Sequence, residues 1–403
     1  MISRRAILRS GALVAAGSFL PAFARRALAQ ESRGRKILVF LFLRGALDGM
    51  HAVTPYGEGR LAQQRPQLML PVKDLLDLGV PGFGMHPSLQ ALLPFWKEGS
   101  LAVVHAVGSP DPSRSHFDAQ DFLELGTPGV KSTPDGWLAR ALRETVIPER
   151  SPLDAIAVSA RLPRALQGVP DAIAFASLDQ LRLRPLAGAR GPAARTQSRA
   201  AFESLYSDDA SGKEVFAAVE ILERRIGDKP PDASAEYPQG PIAQSLRQLA
   251  QLIKADVGLR VGCADAAGWD THTGQPGQLN NNLRQLGDSL AAFLRDLGSR
   301  ADDVVLVAAT EFGRTVRQNG ANGTDHGHAS VAFVLGGGVN GGKIHGRWPG
   351  LRDDQLFEGR DLAVTTDLRS VLAAAAAAQL GASDVAKVFP GFEGEALPSL
   401  FAL

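Results

Sequence analysis

The strongest constraint on the fold of this chain is an alternation. Apolar runs of strand length occur at Lys36 to Leu43, Leu101 to Val107, Asp154 to Ala160, Ala172 to Ser177, Leu259 to Ala264, Asp303 to Thr310 and Ser330 to Leu335. Between them lie segments of helical period, His116 to Leu125, Gly136 to Val146, Lys213 to Arg225, Ile242 to Ala255, Gln278 to Leu297 and Asp367 to Leu380. The runs are apolar almost throughout rather than at every second position, as strands covered on both faces require. Repeated strand, helix and strand predict an α/β fold with a mostly parallel central sheet and helices on both faces. Such sheets gather ligands at the carboxyl ends of their strands, so chemistry is sought just past each apolar run.

The first 29 residues do not belong to that pattern. Ser3-Arg4-Arg5-Ala6-Ile7-Leu8 is a twin-arginine signal, Gly11 to Ala24 is short and weakly apolar, and Ala27-Leu28-Ala29 is a small-residue cleavage site. The expectation is an exported, periplasmic or secreted protein handled by the twin-arginine export machinery, starting near Gln30 as one domain over 30–403 with no membrane span in the mature chain. The signal carries five arginines and no acid, which leaves 38 basic against 42 acidic residues and a net charge near −4. Nucleic acid is therefore not an expected partner. Leu181 to Ala200 holds five arginines and no acid, and reads as a solvated loop or as a wall for an anionic substrate. It falls within a smaller inserted helical and loop region, about 180–240. Cys263 is the lone cysteine, in an apolar run, so no internal disulfide forms.

Three polar clusters follow strand-like runs: Arg44 to Gly49, Trp269 to His272 and Thr324 to His328. In the first, Asp48 is a metal-ligand candidate or a turn cap, with Arg44 and His51 beside it. In the second, Asp270 and His272 offer an oxygen and a nitrogen from one turn. The third, Asp325-His326-Gly327-His328, is the densest, and apolar packing does not explain three such side chains together. Glu311, directly after its strand, adds an oxygen ligand or holds a ligand histidine, and Arg314 faces an anionic group. Ser115 and His116 open the helix after Leu101 to Val107. Ser115 reads as an N-cap or as a nucleophile placed in the positive field of a helix start, and His116 as a ligand, a base or neither. The chain has no GxxxxGK[ST] loop, no GxGxxG after the first strand, no GxSxG elbow and no HExxH helix, so nucleotide and α/β-hydrolase chemistry lose ground.

The signal together with LFLRGALDGMHAVTPYG, SRSHFDAQDFLELG, GWDTHTGQ, ATEFGRT and TDHGHASVAFVLGGGVNGGKIHG resembles the bacterial domain of unknown function 1501 family, over about residues 36 to 393. The resemblance implies an alkaline phosphatase-like fold, shared with sulfatases and cofactor-independent phosphoglycerate mutases. It makes Asp48 a first-strand metal ligand, Ser115 a nucleophile candidate, and Asp270 with His272 and Asp325 with His326 ligand pairs. The late histidine ligand of the superfamily has no direct counterpart; His328 or His345 stands nearest. The leading expectation is an exported hydrolase of small anionic phosphate or sulfate esters that uses one or two divalent ions, Zn, Mn or Fe, held by Asp48, Asp270, His272, Glu311, Asp325, His326 and His328. Ser115, His116, Arg44 and Arg314 are the catalytic candidates. The other class is a non-catalytic envelope protein for binding or assembly that keeps the fold.

Overall fold

Strand β1 (Ile37–Arg44) shows how the sheet is buried. Ile37, Val39, Leu41 and Leu43 enter one apolar core, while Leu38, Phe40 and Phe42 enter a second on the opposite face. Both are built because side chains of a strand alternate between faces, and each such side chain contributes about 1.5–3 kcal/mol on burial. The computed structural model describes residues 35–145, 151–181, 210–227 and 231–402. The chain divides into two units, Met1–Arg35 and Lys36–Leu403, and the elements below belong to the second.

The other strands are β2 (Leu101–Gly108), β3 (Ala155–Val158), β4 (Ile173–Phe175), β5 (Val261–Ala267), β6 (Val304–Ala309), β7 (Ser330–Gly336), β8 (Ile344–His345) and β9 (Thr366–Asp367). They form one nine-stranded sheet in the order β8-β2-β7-β6-β1-β5-β3-β4, with β9 also pairing β2. Six helices cover it: α1 (His116–Leu125), α2 (Trp137–Arg143), α3 (Ala210–Arg225), α4 (Pro241–Lys254), α5 (Gln275–Leu297) and α6 (Leu368–Leu380). Residues of α3, α4 and α5 line the first core, and residues of α1, α2 and α6 the second. In α4, Ile242, Leu246, Leu249 and Ile253 are buried, a helical stripe that starts behind Gly240 and Pro241. Each strand and helix expected from the alternation is present, with ends shifted by a few residues.

One strand breaks the parallel rule. β7 runs antiparallel to both neighbours, β2 and β6, whereas the pairs β1–β5, β1–β6, β3–β5 and β3–β4 are parallel. No crossover helix lies between Ala309 and Ser330, so the chain turns back directly, as only an antiparallel pair permits. The consequence is functional: the loop 310–329 begins and ends on the edge where β1 and β5 also finish.

The stretch between β1 and β2 carries a small antiparallel sheet, Val53–Thr54, Leu76–Asp77 and Gly84–Met85, which the apolar runs do not announce. The five arginines of Leu181 to Ala200 lie outside the described residues, and so does much of the expected insertion. Among the described residues no helix is long and apolar enough to cross a membrane.

Candidate metal centre

Three loops interlock at the carboxyl edge. Gly45, directly after β1, has φ +117°, and a Cβ there would stand 2.7 Å from the Asp270 backbone nitrogen; only glycine allows both the turn and the approach. The turn aims backbone N–H groups at the loop after β6. Gly45 N donates to Glu311 Oε1 at 2.9 Å, and Leu47 N donates to Thr310 Oγ1 at 3.1 Å. Arg314, 0% exposed, ties the same loops together. Its guanidinium donates to Ala46 O (3.0 Å), Thr324 O (3.2 Å), Trp269 O (3.2 Å) and Asp270 Oδ1 (2.8 Å).

Within this frame four side chains converge: His116 at the start of α1, Asp270 and His272 after β5, and His326 in the loop before β7. Asp270 Oδ1 lies 3.0 Å from His272 Nε2 and 3.1 Å from His326 Nε2, and Asp270 Oδ2 lies 3.5 Å from His116 Nε2. A single ligand atom from each of His116, Asp270 and His326 falls within 4.8 Å of the others.

The outer nitrogens decide what the inner ones can do. His116 Nδ1 is 2.8 Å from Glu311 Oε1, His272 Nδ1 is 3.1 Å from Asp325 Oδ1, and His326 Nδ1 is 2.8 Å from the Arg114 carbonyl. Carboxylates and carbonyls only accept, so each ring donates from Nδ1, and in its neutral form it turns an Nε2 lone pair inward. His272 Nε2 and His326 Nε2 are 3.0 Å apart, and His116 Nε2 is buried with no hydrogen-bond partner. Lone pairs facing one another beside a carboxylate call for a cation. Ligand histidines anchored through the other ring nitrogen to a carboxylate or a backbone carbonyl are the usual support of a protein metal site. The donor set, three imidazoles and one carboxylate with no thiolate, fits Zn, Mn or Fe.

Electrostatics keep the carboxylates ionised and set the imidazoles apart from one another. Burial alone would raise the Glu311 carboxyl, but hydrogen bonds from His116, Gln120 and Thr310 hold it below its ordinary range. The Glu311 hydrogen bond raises His116, while burial lowers His326. Burial would also raise Asp270, and the Arg314 charge, with the imidazoles, keeps it ionised.

The other residues singled out from the sequence sit elsewhere. Asp48 is fully buried and committed: Oδ2 receives Arg65 Nη1 and Gln275 Nε2, each at 2.7 Å, and Oδ1 receives the His51 N–H. The structure does not bring it to the cluster. Glu311 and Asp325 stand behind His116 and His272 and orient them. His328 stacks on Phe357 with ring centroids 4.1 Å apart, and His345 bonds Asn340 O and Ser399 Oγ. Ser115 caps α1, its Oγ accepting the Asp118 N–H at 3.4 Å. Arg44 is held by Glu124 (2.6 Å), Asp265 (2.9 Å) and Gln120 (3.0 Å). Sequence reasoning did not find Gln120, which donates to Glu311 Oε1 at 2.9 Å, or Phe312, which stacks on His116 at 4.8 Å. Gln120 follows His116 by one helical turn, a spacing that could have pointed to it.

Residues 35–390 match the model of a family described as a protein of unknown function, DUF1501. The chain belongs to that family. The motif resemblance is borne out over nearly the length expected. Among solved structures, the chain is similar to the C-terminal periplasmic domain of EptC from Escherichia coli in complex with Zn, at 11% identity over 76% of this chain and 74% of that one, with a TM-score of 0.34. It is also similar to the sulfatase PsFucS1 from Pseudoalteromonas sp., at 11% identity over 80% and 67% of the two chains, TM-score 0.34. A putative sulfatase from Bacteroides thetaiotaomicron gives 9% identity over 91% and 77%, TM-score 0.33. No curated protein matches the chain.

Proposed function

We propose that this DUF1501 protein is an exported, metal-dependent hydrolase of phosphate or sulfate esters. The observation that carries the metal part is the convergence of His116, His272 and His326 on Asp270, each ring anchored at Nδ1 and turned inward at Nε2. The ester class rests on the motif resemblance to an alkaline phosphatase-like family, and export rests on the twin-arginine signal. Export in the folded state would let the protein take its metal before it leaves the cytoplasm.

When bound, a divalent ion supplies Lewis-acid polarisation of an ester oxygen and neutralises charge at that point. The chain's own residues do the rest. Arg314 holds Asp270 through one hydrogen bond and ties three loops together through its others, so the carboxylate is positioned before substrate arrives. Glu311 and Asp325 keep His116 and His272 in the tautomer that faces inward. Ser115, one residue before His116, is the nucleophile candidate: its hydroxyl oxygen already lies at the start of α1, where backbone N–H groups favour negative charge.

The test is metal analysis of the purified full chain, with a screen of phosphate and sulfate monoesters and diesters, repeated with Asp270→Asn. The proposal expects bound metal and turnover in the first protein and neither in the second. Metal bound without turnover of any ester would support the non-catalytic envelope role instead.

A further inference from the structure

We propose that Phe312 is a positioning residue of the metal centre: its buried ring fixes the planes of His116 and His326, so that their Nε2 lone pairs are aimed at one ion before it arrives. The inference rests on the metal reading of the site and deepens it by naming what holds two of its ligands in orientation.

The hydrogen bonds behind the imidazoles leave this task undone. His116 Nδ1 is anchored on Glu311 Oε1 and His326 Nδ1 on the Arg114 carbonyl, each at 2.8 Å. Such a bond tolerates departures of about 30° from linearity, and the terminal torsion of a histidine is broad. Each ring plane can therefore swing through more than the roughly 10–20° within which a functional site has to be held. A neighbour packed on the ring face removes that freedom, because the ring then turns only by driving its edge into the neighbour.

Phe312 supplies this contact for both rings. It stacks on His116 with centroids 4.8 Å apart and planes inclined by 25°, and meets His326 at 5.1 Å and 49°. The two imidazoles touch each other edge to face at 4.4 Å and 73°, which closes a triangle of three rings. These separations are at the short end of the roughly 4.5–7 Å of favourable ring pairs. His116 and His326 are also the imidazoles that, with Asp270, bring one ligand atom each within 4.8 Å of the others. A metal-bound imidazole takes on part of the ion's positive charge, and the electron-rich face of a phenyl ring favours that charge.

A support must itself be fixed. Phe312 is 3% exposed and packs with Ala46, after β1, and Ala119, in α1. Its backbone is pinned on either side: Glu311 accepts the Gly45 N–H, Gly313 N donates to His328 O at 2.8 Å, and Gly313 O accepts the Gly327 N–H at 2.8 Å. A Cβ at Gly313 would stand 1.8 Å from the Ala329 carbonyl oxygen, so this stretch lies hard against the segment that enters β7. Three neighbouring residues thus divide the work, Glu311 holding a ring nitrogen, Phe312 two ring faces and Arg314 the Asp270 carboxylate.

The full chain would be compared with Phe312→Leu and Phe312→Met, which keep an apolar side chain and lose the flat face, and with Phe312→Tyr, which keeps the face. Zinc affinity is read by chelator competition, ligand geometry by the visible absorption of the cobalt(II)-loaded protein, and folding by circular dichroism. The Leu and Met variants should bind zinc roughly tenfold more weakly, the scale of the lost ring pairs, and their cobalt bands should shift or lose intensity. Phe312→Tyr should retain both the affinity and the spectrum. With two apolar replacements, one that folds is enough for the comparison. Unchanged zinc affinity and an unchanged cobalt spectrum in a folded Leu or Met variant would overturn the positioning role and leave the metal reading intact, and so would an equal loss in Phe312→Tyr. If the unmodified chain binds neither ion, the metal reading itself fails and the inference falls with it.

Discussion

Glu311 Oε1 accepts the Nδ1–H of His116 at 2.8 Å, so the carboxylate that follows β6 sets the tautomer of the imidazole that begins α1. Loss of such an outer partner costs about 10–100-fold in metal affinity. Glu311→Gln should weaken zinc binding by that factor in a chelator competition while the folded secondary structure persists. It should also lower the melting temperature, because the Gly45 N–H and Gln120 amide that Glu311 accepts would meet a poorer partner. Unchanged zinc affinity would reduce the pair to a structural contact.

Asp270 and Ser115 should separate metal holding from turnover. Asp270→Asn removes the charge on which three imidazoles converge, and metal analysis should find the ion lost. Ser115→Ala removes a helix cap worth about 1 kcal/mol and no ligand, so metal content should stay. With a nucleophilic Ser115, ester turnover should fall by roughly a hundredfold or more, the scale on which single catalytic groups act. Retained turnover would leave Ser115 as the cap alone.

The pair Asp48 and Arg65 is the opposite case, a buried salt bridge with side chains 0% and 1% exposed and a 2.7 Å contact. Breaking such a pair from one side strands a charge and costs about 3–5 kcal/mol. Arg65→Met should therefore lower the urea midpoint strongly and leave metal stoichiometry unaltered. A lost metal ion in a folded Arg65→Met protein would restore Asp48 to the centre.

Much of this was legible in the chain. The apolar runs gave the sheet because strands buried on both faces leave an unmistakable pattern, and the clusters around Asp270 and His326 announced themselves by density. Asp48 was harder: a carboxylate after a first strand looks the same whether it holds a metal or a guanidinium, and Arg65, seventeen residues on, has no motif that ties it to Asp48. Glu311 was visible as a ligand or as a support and Asp325 as a ligand, and only the ring nitrogen that each one faces decides for support. The reversal of β7 was hidden because a run of apolar residues carries no direction, and the missing helix after Ala309 was its one trace. Gln120 was missed because neutral amides are common on helices and acquire a role only through their partners.

Acid should destabilise this protein through histidines that have nothing to do with the centre. Burial lowers His51 to about 4, His86 to about 3 and His105 to about 4, from an ordinary value of 6.5. The unfolded chain therefore binds these protons below pH 6.5 while the folded one does not until near pH 4 or lower. The stability they contribute is fully present above about pH 6.5 and is lost as pH falls through that window. With three protons taken up on unfolding, the slope approaches about 4 kcal/mol per pH unit between pH 6 and 5. His326 and His328 shift in the same direction and His116 in the other, so the metal-free protein is the proper sample. Urea unfolding with a chelator present should show the midpoint nearly level above pH 6.5 and falling steadily from pH 6.5 to 5. A midpoint flat across that range would mean that the three rings are protonated in the folded state, and their burial without charge would have to be abandoned.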